Sequence, residues 1–178
     1  MKDSRKEFVF VIGKSEGMNP EAMIEGINSI VEKQKKVKDE STYTLVFFNE
    51  NVKASAVCKS IKNMRKYTNL TYVPKGGSAL YDALGHAMTM VGEALSETEE
   101  HERPCQVCVI AIGESDNASV EYEYTVVDEM IKIQKYVYKW DFVFYSDGNT
   151  AFDIQKGGNM KDTQRMFREI NDYITSLR

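Results

Sequence analysis

The sequence predicts an α/β fold: a three-layer, doubly wound (Rossmann-like) domain with a mostly parallel sheet and helices on both of its faces. Apolar runs of strand length lack the alternation of a half-exposed sheet, which is typical of strands buried on both faces. They fall at residues 8–12, 43–48, 107–112 and 141–145. Amphipathic helical patterns separate most of these runs, and right-handed crossovers then favour the doubly wound arrangement. A chain of 178 residues has the size of one domain, so we expect a single domain over residues 1–178.

The first half of the chain should contain one helix and a hairpin. Asn19 and Pro20 suit an N-cap and a first helical turn, and this helix should end around residues 36–39. Its apolar positions have helical spacing: Met23, Ile24, Ile27, Ile30 and Val31. A turn and an alternating segment at residues 52–57 predict a hairpin whose second arm lies at the sheet edge. Residues 61–70 show no firm pattern.

The second half should contain three helices. A pair of glycines breaks the chain before Ser78, which we predict to cap the helix that follows. The apolar stripe of that helix is Leu80, Leu84, Ala87, Met88, Val91 and Leu95. Another helix should cover residues 121–138, and a C-terminal helix should follow. Between them, an Asp-Gly turn predicts that residues 151–154 run antiparallel to the strand at 141–145, at the sheet edge.

Composition and charge exclude several classes of function. A net charge of -4 and a pI near 5.3 do not fit a general nucleic-acid binder. No apolar stretch suits a signal peptide or a membrane span, so we expect a cytoplasmic protein with no membrane partner. Three cysteines are too few, and odd in number, for a disulfide framework, which agrees with a reducing compartment.

Three turns should meet at one edge of the predicted sheet. Each leaves the carboxyl end of a strand or opens a helix beside one. They are Gly-Lys-Ser-Glu-Gly at residues 13–17, Gly-Gly-Ser at 76–78 and Gly-Glu-Ser-Asp-Asn at 113–117. Ligands of open α/β sheets bind in the crevice at that edge. We therefore expect the binding site there.

The segments around these turns resemble the von Willebrand factor A (vWA) domain family, most closely its small stand-alone bacterial members. The matching text is FVFVIGKSEGM, GGSALYDALGHAM, VCVIAIGESDNAS and KWDFVFYSDGN, in this order within residues 6–155. The resemblance implies the vWA fold and a metal-ion-dependent adhesion site (MIDAS) that holds Mg²⁺ or a similar cation. Family members usually read Asp-x-Ser-x-Ser in the first turn, a threonine or serine in the second and Thr-Asp-Gly in the third.

This chain departs from the family pattern at the carboxylates. Gly13 and Gly113 stand where the family has aspartates, and Gly17 stands in place of the last serine. Ser15 and Ser78 keep their hydroxyls. Mg²⁺ needs oxygen ligands in a near-octahedral shell, and neutral hydroxyls alone should not compete with water for it. We therefore expect a vestigial site with no bound metal and no other cofactor.

Two other interpretations of the same site stay open. Glu16, Glu114 or Asp116 could turn inward and hold a cation weakly, although these positions normally point away. Alternatively, the glycines at both aspartate positions open a small pocket, where Lys14 or Lys75 could place an ammonium group near the old cation position. Such a pocket could accept a carboxylate of a partner without a metal.

Three further motifs have simpler structural explanations. Cys105 and Cys108 form a C-x-x-C pair, but residues three apart on a strand point to opposite faces, which argues against zinc or redox chemistry. His86 lies one turn from Asp82, and a polar helix face explains this pair better than a catalytic set. The Gly-Lys-Ser at residues 13–15 lacks the first glycine of a phosphate-binding P-loop.

We therefore expect a non-enzymatic, vWA-like interaction module that binds a protein partner or a second copy of itself. The alternative is a vWA module that still binds Mg²⁺ weakly, through Ser15, Ser78 and a nearby carboxylate, to capture an acidic ligand. The residues expected to line the partner-binding surface are Gly13, Lys14, Ser15, Glu16, Gly17, Gly77, Ser78, Gly113 and Asp116. Aromatic residues that stay exposed between positions 122 and 140 would mark an interface.

Overall fold

The computed structural model describes residues 4–148 and 152–178. Within these ranges one sheet has the strand order β3-β2-β1-β4-β5-β6. The strands are β1 (Lys6–Gly13), β2 (Thr42–Phe48), β3 (Val52–Ser60), β4 (Gln106–Ile112), β5 (Asp141–Ser146) and β6 (Lys156–Asn159). The α-helices are α1 (Pro20–Lys35), α2 (Leu80–Glu97), α3 (Tyr124–Tyr136) and α4 (Thr163–Ser176).

The sheet confirms the predicted fold class. All neighbouring strands pair in parallel except β2 and β3, which form the predicted antiparallel hairpin and put β3 at the sheet edge. Helices cover both faces. None of the helices in the described ranges is long and apolar enough to cross a membrane.

The central strand β1 separates two apolar cores. Phe8, Phe10 and Ile12 face the core that includes α1 and α4, whereas Val9 and Val11 face the core that includes α2 and α3. All five side chains are buried, because each face of the strand meets a helical layer. The uninterrupted apolar run of the sequence follows from this double burial. The parallel pairing of β1 with β2 and β4 places the carboxyl ends of these three strands at one edge.

The last strand contradicts the sequence-based prediction. Residues 152–154 are not a strand, and Ala151 lies outside the described residues. The strand that follows is β6, and it pairs with β5 in parallel, with Val143 opposite Lys156. Its four residues are exposed and contain no apolar side chain, so hydrophobic alternation could not reveal it. Phe152 instead leaves the sheet and packs its ring on Tyr124, with centroids 5.1 Å apart.

One helix boundary agrees with the sequence-based prediction and another does not. Asn19 caps α1 as predicted, because its Oδ1 atom accepts a hydrogen bond from the Ala22 amide at 3.1 Å. Helix α3 is shorter than the predicted 121–138. The amides of residues 120–122 donate to the Asp82 carboxylate and are therefore held outside the helix.

The stretch at residues 61–70, to which the sequence assigned no structure, begins with a short 3-10 helix, Ile61–Asn63.

A buried carboxyl group lies at the opposite, amino edge of the sheet. Glu7 is fully buried and accepts hydrogen bonds from the hydroxyls of Thr42 and Thr44, the latter at 2.5 Å. Burial raises the pKa of Glu7 from 4.5 to about 7, and the two hydroxyls only partly oppose that increase. The folded protein therefore binds this proton more tightly than the unfolded chain does.

We predict that Glu7→Gln changes the pH dependence of stability. The protonated Glu7 carboxyl makes its full contribution to stability below pH 4.5, which is its pKa in the unfolded chain. This contribution is lost as pH rises through the folded pKa of about 7. The free energy of unfolding of the variant, relative to that of the parent, should therefore be higher at pH 8 than at pH 5 by about 2 to 3 kcal/mol. Denaturant titrations at several pH values measure this difference. Parallel pH profiles for the two proteins would contradict it.

Candidate functional site

The loops at the carboxyl edge are joined through their backbones. The Lys14 amide donates to the Phe48 carbonyl at 2.7 Å, and the Lys75 amide donates to the Lys14 carbonyl at 2.9 Å. The Glu16 amide donates to the Gly76 carbonyl at 2.9 Å. The first turn and the glycine pair before α2 therefore lie side by side above β1 and β2.

A buried phenol fixes the start of the first turn. Tyr72 lies in the apolar core, and its hydroxyl donates a 2.7 Å hydrogen bond to the Gly13 carbonyl. Burial raises the pKa of Tyr72 well above its usual range, so the phenol stays protonated and remains a donor. This contact comes from the segment between β3 and α2, which the sequence analysis left without a role.

Ser78 connects the second turn to the third. Its hydroxyl donates to the main-chain carbonyl of Glu114 at 2.9 Å, and its amide donates to Asn117 Oδ1 at 2.7 Å. Its carbonyl accepts from the amides of Asn117 and Ala118. The structure thus brings all three predicted turns together, with Ser78 buried between them.

The Glu114 side chain points into the site. Its Oε1 atom accepts a hydrogen bond from the Ser15 hydroxyl at 2.5 Å and another from the Gly17 amide at 3.0 Å. The expectation that this carboxylate points away is therefore wrong. A Cβ atom at position 17 would lie 2.4 Å from Glu114 Oε2, so the glycine makes room for the carboxylate. The combination of a glycine at 17 with a long acidic side chain at 114 is the sequence signal that could have located it.

Phe48 occupies the space beside Gly13 and Gly113, the two positions where the vWA resemblance predicts aspartates. Its ring is fully buried. A Cβ atom at Gly113 would lie 2.6 Å from Phe48 Cζ, and one at Gly13 would lie 3.3 Å from the same atom. The small pocket expected at these glycines is therefore filled by an aromatic ring.

The start of α2 is capped by the third turn. We predicted Ser78 as the cap, but the cap residue is Ala79. The Ser78 hydroxyl instead donates to the main-chain carbonyl of Glu114. Asp116 Oδ1 accepts from the Tyr81 amide at 3.1 Å, and Ser119 Oγ accepts from the Asp82 amide at 3.0 Å. Asp116 is thus occupied by a helix terminus and does not join Ser15.

The remaining predicted surface residues lie around this centre. Gly77 donates its amide to Glu50, a residue of the β2–β3 turn that the prediction did not include. Glu16 and Lys75 are exposed, and Lys14 is half-buried. In the described ranges, no ion pair joins the ammonium of Lys14 or Lys75 to Glu114.

A cavity of about 220 Å³ opens directly beside Glu114. Its apolar wall includes Met18 and Met23, which are buried, and Met160. Its polar wall includes Glu114, Asp147 and Lys161. The Asp147 carboxylate accepts from the amide and hydroxyl of Ser115, at 3.0 and 2.9 Å, so the third turn fixes this carboxylate, whereas the first turn fixes that of Glu114. The space is that of one long side chain rather than of a large ligand.

The other motifs have the structural explanations proposed for them. Cys105 is exposed and Cys108 is buried, so their thiols face different environments. Burial raises the pKa of Cys108 to about 11, which disfavours a reactive thiolate. His86 contacts Glu121 at 2.7 Å rather than Asp82, which binds backbone amides.

The aromatic segment divides between core and surface. Trp140 is buried, and Tyr124 is half-buried in contact with Phe152. Tyr136 and Tyr138 remain exposed, at 55% and 65% of their surface. Val126 and Ile133 of α3, and Val137 directly after it, are exposed apolar residues in the same segment.

Solved structures share this fold. Two structures of proximal thread matrix protein 1 from the mussel byssus superpose with TM-scores of 0.57 and 0.55, each at 14% identity. The matched regions cover 96% and 97% of this chain but 46% and 44% of those chains, so the chain spans less than half of their length. The second of those structures has a zinc-occupied MIDAS motif. No protein-family model and no curated protein matches the sequence.

This likeness shows the fold alone, which is the vWA architecture expected from the four sequence segments. The match extends over nearly the whole chain, so the vWA-like α/β fold includes both the sheet and its helices in the described ranges. The identity is too low to carry over any residue of the zinc-occupied site. What the carboxyl edge of this protein binds must be argued from its own side chains.

We predict that Gly113→Ala destabilises the protein by about 1 to 3 kcal/mol, because the added methyl group meets the rigid Phe48 ring. The left-handed glycines of the described ranges are Gly76 and Gly157, so the backbone at Gly113 tolerates alanine. Denaturant unfolding measures the loss, which should shrink in a Phe48→Leu background. Gly92→Ala is the matched control: it meets nothing within 4 Å in α2 and should stabilise by up to about 1 kcal/mol. Equal effects at positions 113 and 92 would contradict the steric argument.

Proposed function

We propose that this protein is a non-enzymatic vWA-type module that binds a protein partner through the carboxyl-edge loops without a metal. The observation that carries the proposal is the Glu114 carboxylate, which is fixed between the Ser15 hydroxyl and the Gly17 amide. A fixed negative charge then lies at the convergence of the three turns. Such a site attracts a cation, and its most direct ligand is a basic side chain.

The donor set does not fit a tightly held divalent cation. The turns supply the hydroxyls of Ser15 and Ser78 and one carboxylate, Glu114, which already accepts two hydrogen bonds. Mg²⁺ is held best by anionic oxygens in a near-octahedral shell. Phe48 fills the space beside the two glycines, where further carboxylates would have to lie. These observations support the interpretation of a MIDAS that has lost its metal function.

The cavity beside Glu114 suits a lysine or arginine of the partner. The aliphatic stem of such a side chain would lie against Met18, Met23 and Met160, and the charged head would reach Glu114 and Asp147. Lys161 on the same wall reduces the negative potential but leaves the two carboxylates in excess. A partner that presents a basic side chain therefore fits this face better than an acidic partner does.

No catalytic constellation accompanies this surface in the described ranges. The hydroxyls of Ser15 and Ser78 donate to Glu114, and neither contacts His86, which pairs with Glu121. An activated nucleophile needs a general base within hydrogen-bond reach. These contacts support a binding role rather than catalysis. We retain the cytoplasm as the proposed location because the three cysteines are free thiols.

Selection from a random peptide library displayed on phage tests the proposal. We expect the enriched peptides to contain lysine or arginine and to bind the parent protein without divalent cations. Glu114→Gln keeps an oxygen that can accept from Ser15 and Gly17 but removes the charge. It should lower the affinity for these peptides about tenfold or more. Glu93→Gln, on the exposed C-terminal part of α2, should leave binding unchanged.

The same selection separates this proposal from the Mg²⁺-dependent alternative. In that alternative, Ser15, Ser78 and Glu114 hold a weak cation that captures an acidic ligand. Enrichment of acidic peptides only when Mg²⁺ is present, with saturable micromolar Mg²⁺ or Mn²⁺ binding in calorimetry, would overturn the metal-free proposal. Basic peptides that bind equally well to Glu114→Gln would place the binding face elsewhere.

A further inference from the structure

A cavity of about 340 Å³ lies between α1 and α4. Its buried lining residues include Gly26 and Phe167, through which the two helices approach closely. A Cβ atom at Gly26 would lie 1.9 Å from the Phe167 ring. The cavity shares no lining residue with the one beside Glu114. Binding at this cavity is therefore separate from the proposed function of the carboxyl edge.

The hydrogen bonds of Asn171 leave one acceptor unused. Asn171 lines the cavity and is 3% exposed. Its Nδ2 atom donates to Ser29 Oγ and to the main-chain carbonyl of Phe167, each at 3.0 Å. A carbonyl oxygen can only accept, and the Ser29 hydroxyl already donates to the Gly26 carbonyl, so these contacts identify the nitrogen end of the amide. The other end, Oδ1, has no hydrogen-bond partner in the described ranges.

The unpaired oxygen of Asn171 points to a ligand that donates a hydrogen bond. An unpaired carbonyl oxygen in a protein interior is unfavourable, and buried polar groups normally have a protein or water partner. The adjacent cavity is the space from which such a donor can come. The oxygen is itself covered, so the amide must rotate slightly to meet the donor. The ligand should therefore carry an N–H or O–H group, and its binding should change the surroundings of the Asn171 amide.

Charged side chains of both signs surround the cavity. Glu25 and Lys33 lie on α1, Arg168 lies on α4, and all three are exposed. Within the part of the chain that the structure describes, no ion pair includes any of them. Positions 25 and 33 are separated by about 12 Å along the helix axis. Gln164 adds an amide that both donates and accepts. Donors and acceptors are thus spread along the cavity.

This lining disfavours ligands of a single charge. Glu25 and the Asn171 oxygen would oppose an anion, whereas Lys33 and Arg168 would oppose a cation. A free amino acid carries its two charges on neighbouring groups, which does not match charges that are spaced along α1. An apolar ligand would leave the polar side chains unpaired. A neutral molecule with several hydroxyl groups meets none of these objections, because each hydroxyl both donates and accepts.

We propose that the cavity between α1 and α4 binds a small neutral sugar, one of whose hydroxyl groups donates to Asn171 Oδ1. Other hydroxyl groups donate to Glu25 and accept from Lys33 and Arg168. The C–H groups of the sugar lie against Ala22 on the apolar part of the wall. The volume is at the lower end of the range for small-molecule sites, which suits one or two sugar rings.

Nuclear magnetic resonance titration of the isotope-labelled protein with a panel of neutral mono- and disaccharides tests the proposal. The side-chain amide signal of Asn171 is the reporter, and its absence from the spectrum of Asn171→Leu identifies it. At least one sugar should shift this signal saturably, with a dissociation constant in the millimolar range or below.

Substitutions along α1 test the location of the site. Lys33→Met removes a donor but keeps an apolar stem, and it should lower the affinity for the best sugar about threefold or more. Lys35→Met is the matched control, because Lys35 is an exposed lysine of the same helix that does not line the cavity. It should leave the affinity unchanged. Both positions are exposed, so thermal unfolding should confirm that the variants remain folded.

Deoxy analogues of the best sugar test the contact with Asn171. Removal of the hydroxyl that donates to Oδ1 should lower the affinity for the parent protein about tenfold. The same removal should have little effect on the affinity for Asn171→Leu. Longer oligosaccharides of the same sugar separate the two sources of this chemistry. Equal affinity assigns the cavity to a free sugar, and tighter binding assigns it to a glycan chain.

Three results would overturn the proposal. One is the absence of saturable shifts with every sugar of the panel. Another is an equal effect of Lys33→Met and Lys35→Met on the affinity. The third is saturable binding of amino acids or of inorganic phosphate, but not of sugars, which would assign the cavity to charged ligands.

Discussion

The contact between Glu114 and Ser15 holds a negative charge at the carboxyl edge of the sheet. The carboxylate accepts from the Ser15 hydroxyl and the Gly17 amide, so hydrogen bonds, not a metal, hold its charge in place. Asp147 adds a second carboxylate on the cavity wall, and Lys161 is the one cation among the residues that line this cavity. Glu114 and Asp147 together therefore leave the wall of the cavity with a net negative charge.

Three glycines at the carboxyl edge make room for larger side chains. Gly17 leaves room for Glu114, and the glycines at 13 and 113 leave room for Phe48. Close packing makes these positions interdependent, since a side chain added at any of the three meets an atom already in place. An aspartate placed at Gly113 alone would enter the Phe48 ring. A carboxylate at this position would therefore require a coordinated substitution of Phe48.

The features that the sequence predicted are those that local patterns determine. Double burial makes the central strands uniformly apolar, and the Asn19 cap is read from adjacent residues. The prediction failed where distant residues compete for the same group. Ser78 suited a helix cap, but the carbonyl of Glu114, far along the chain, takes its hydroxyl. Strand β6 pairs with β5 through the backbone and through an ion pair of Lys156 with Asp141, and neither contact leaves a hydrophobic pattern in the sequence.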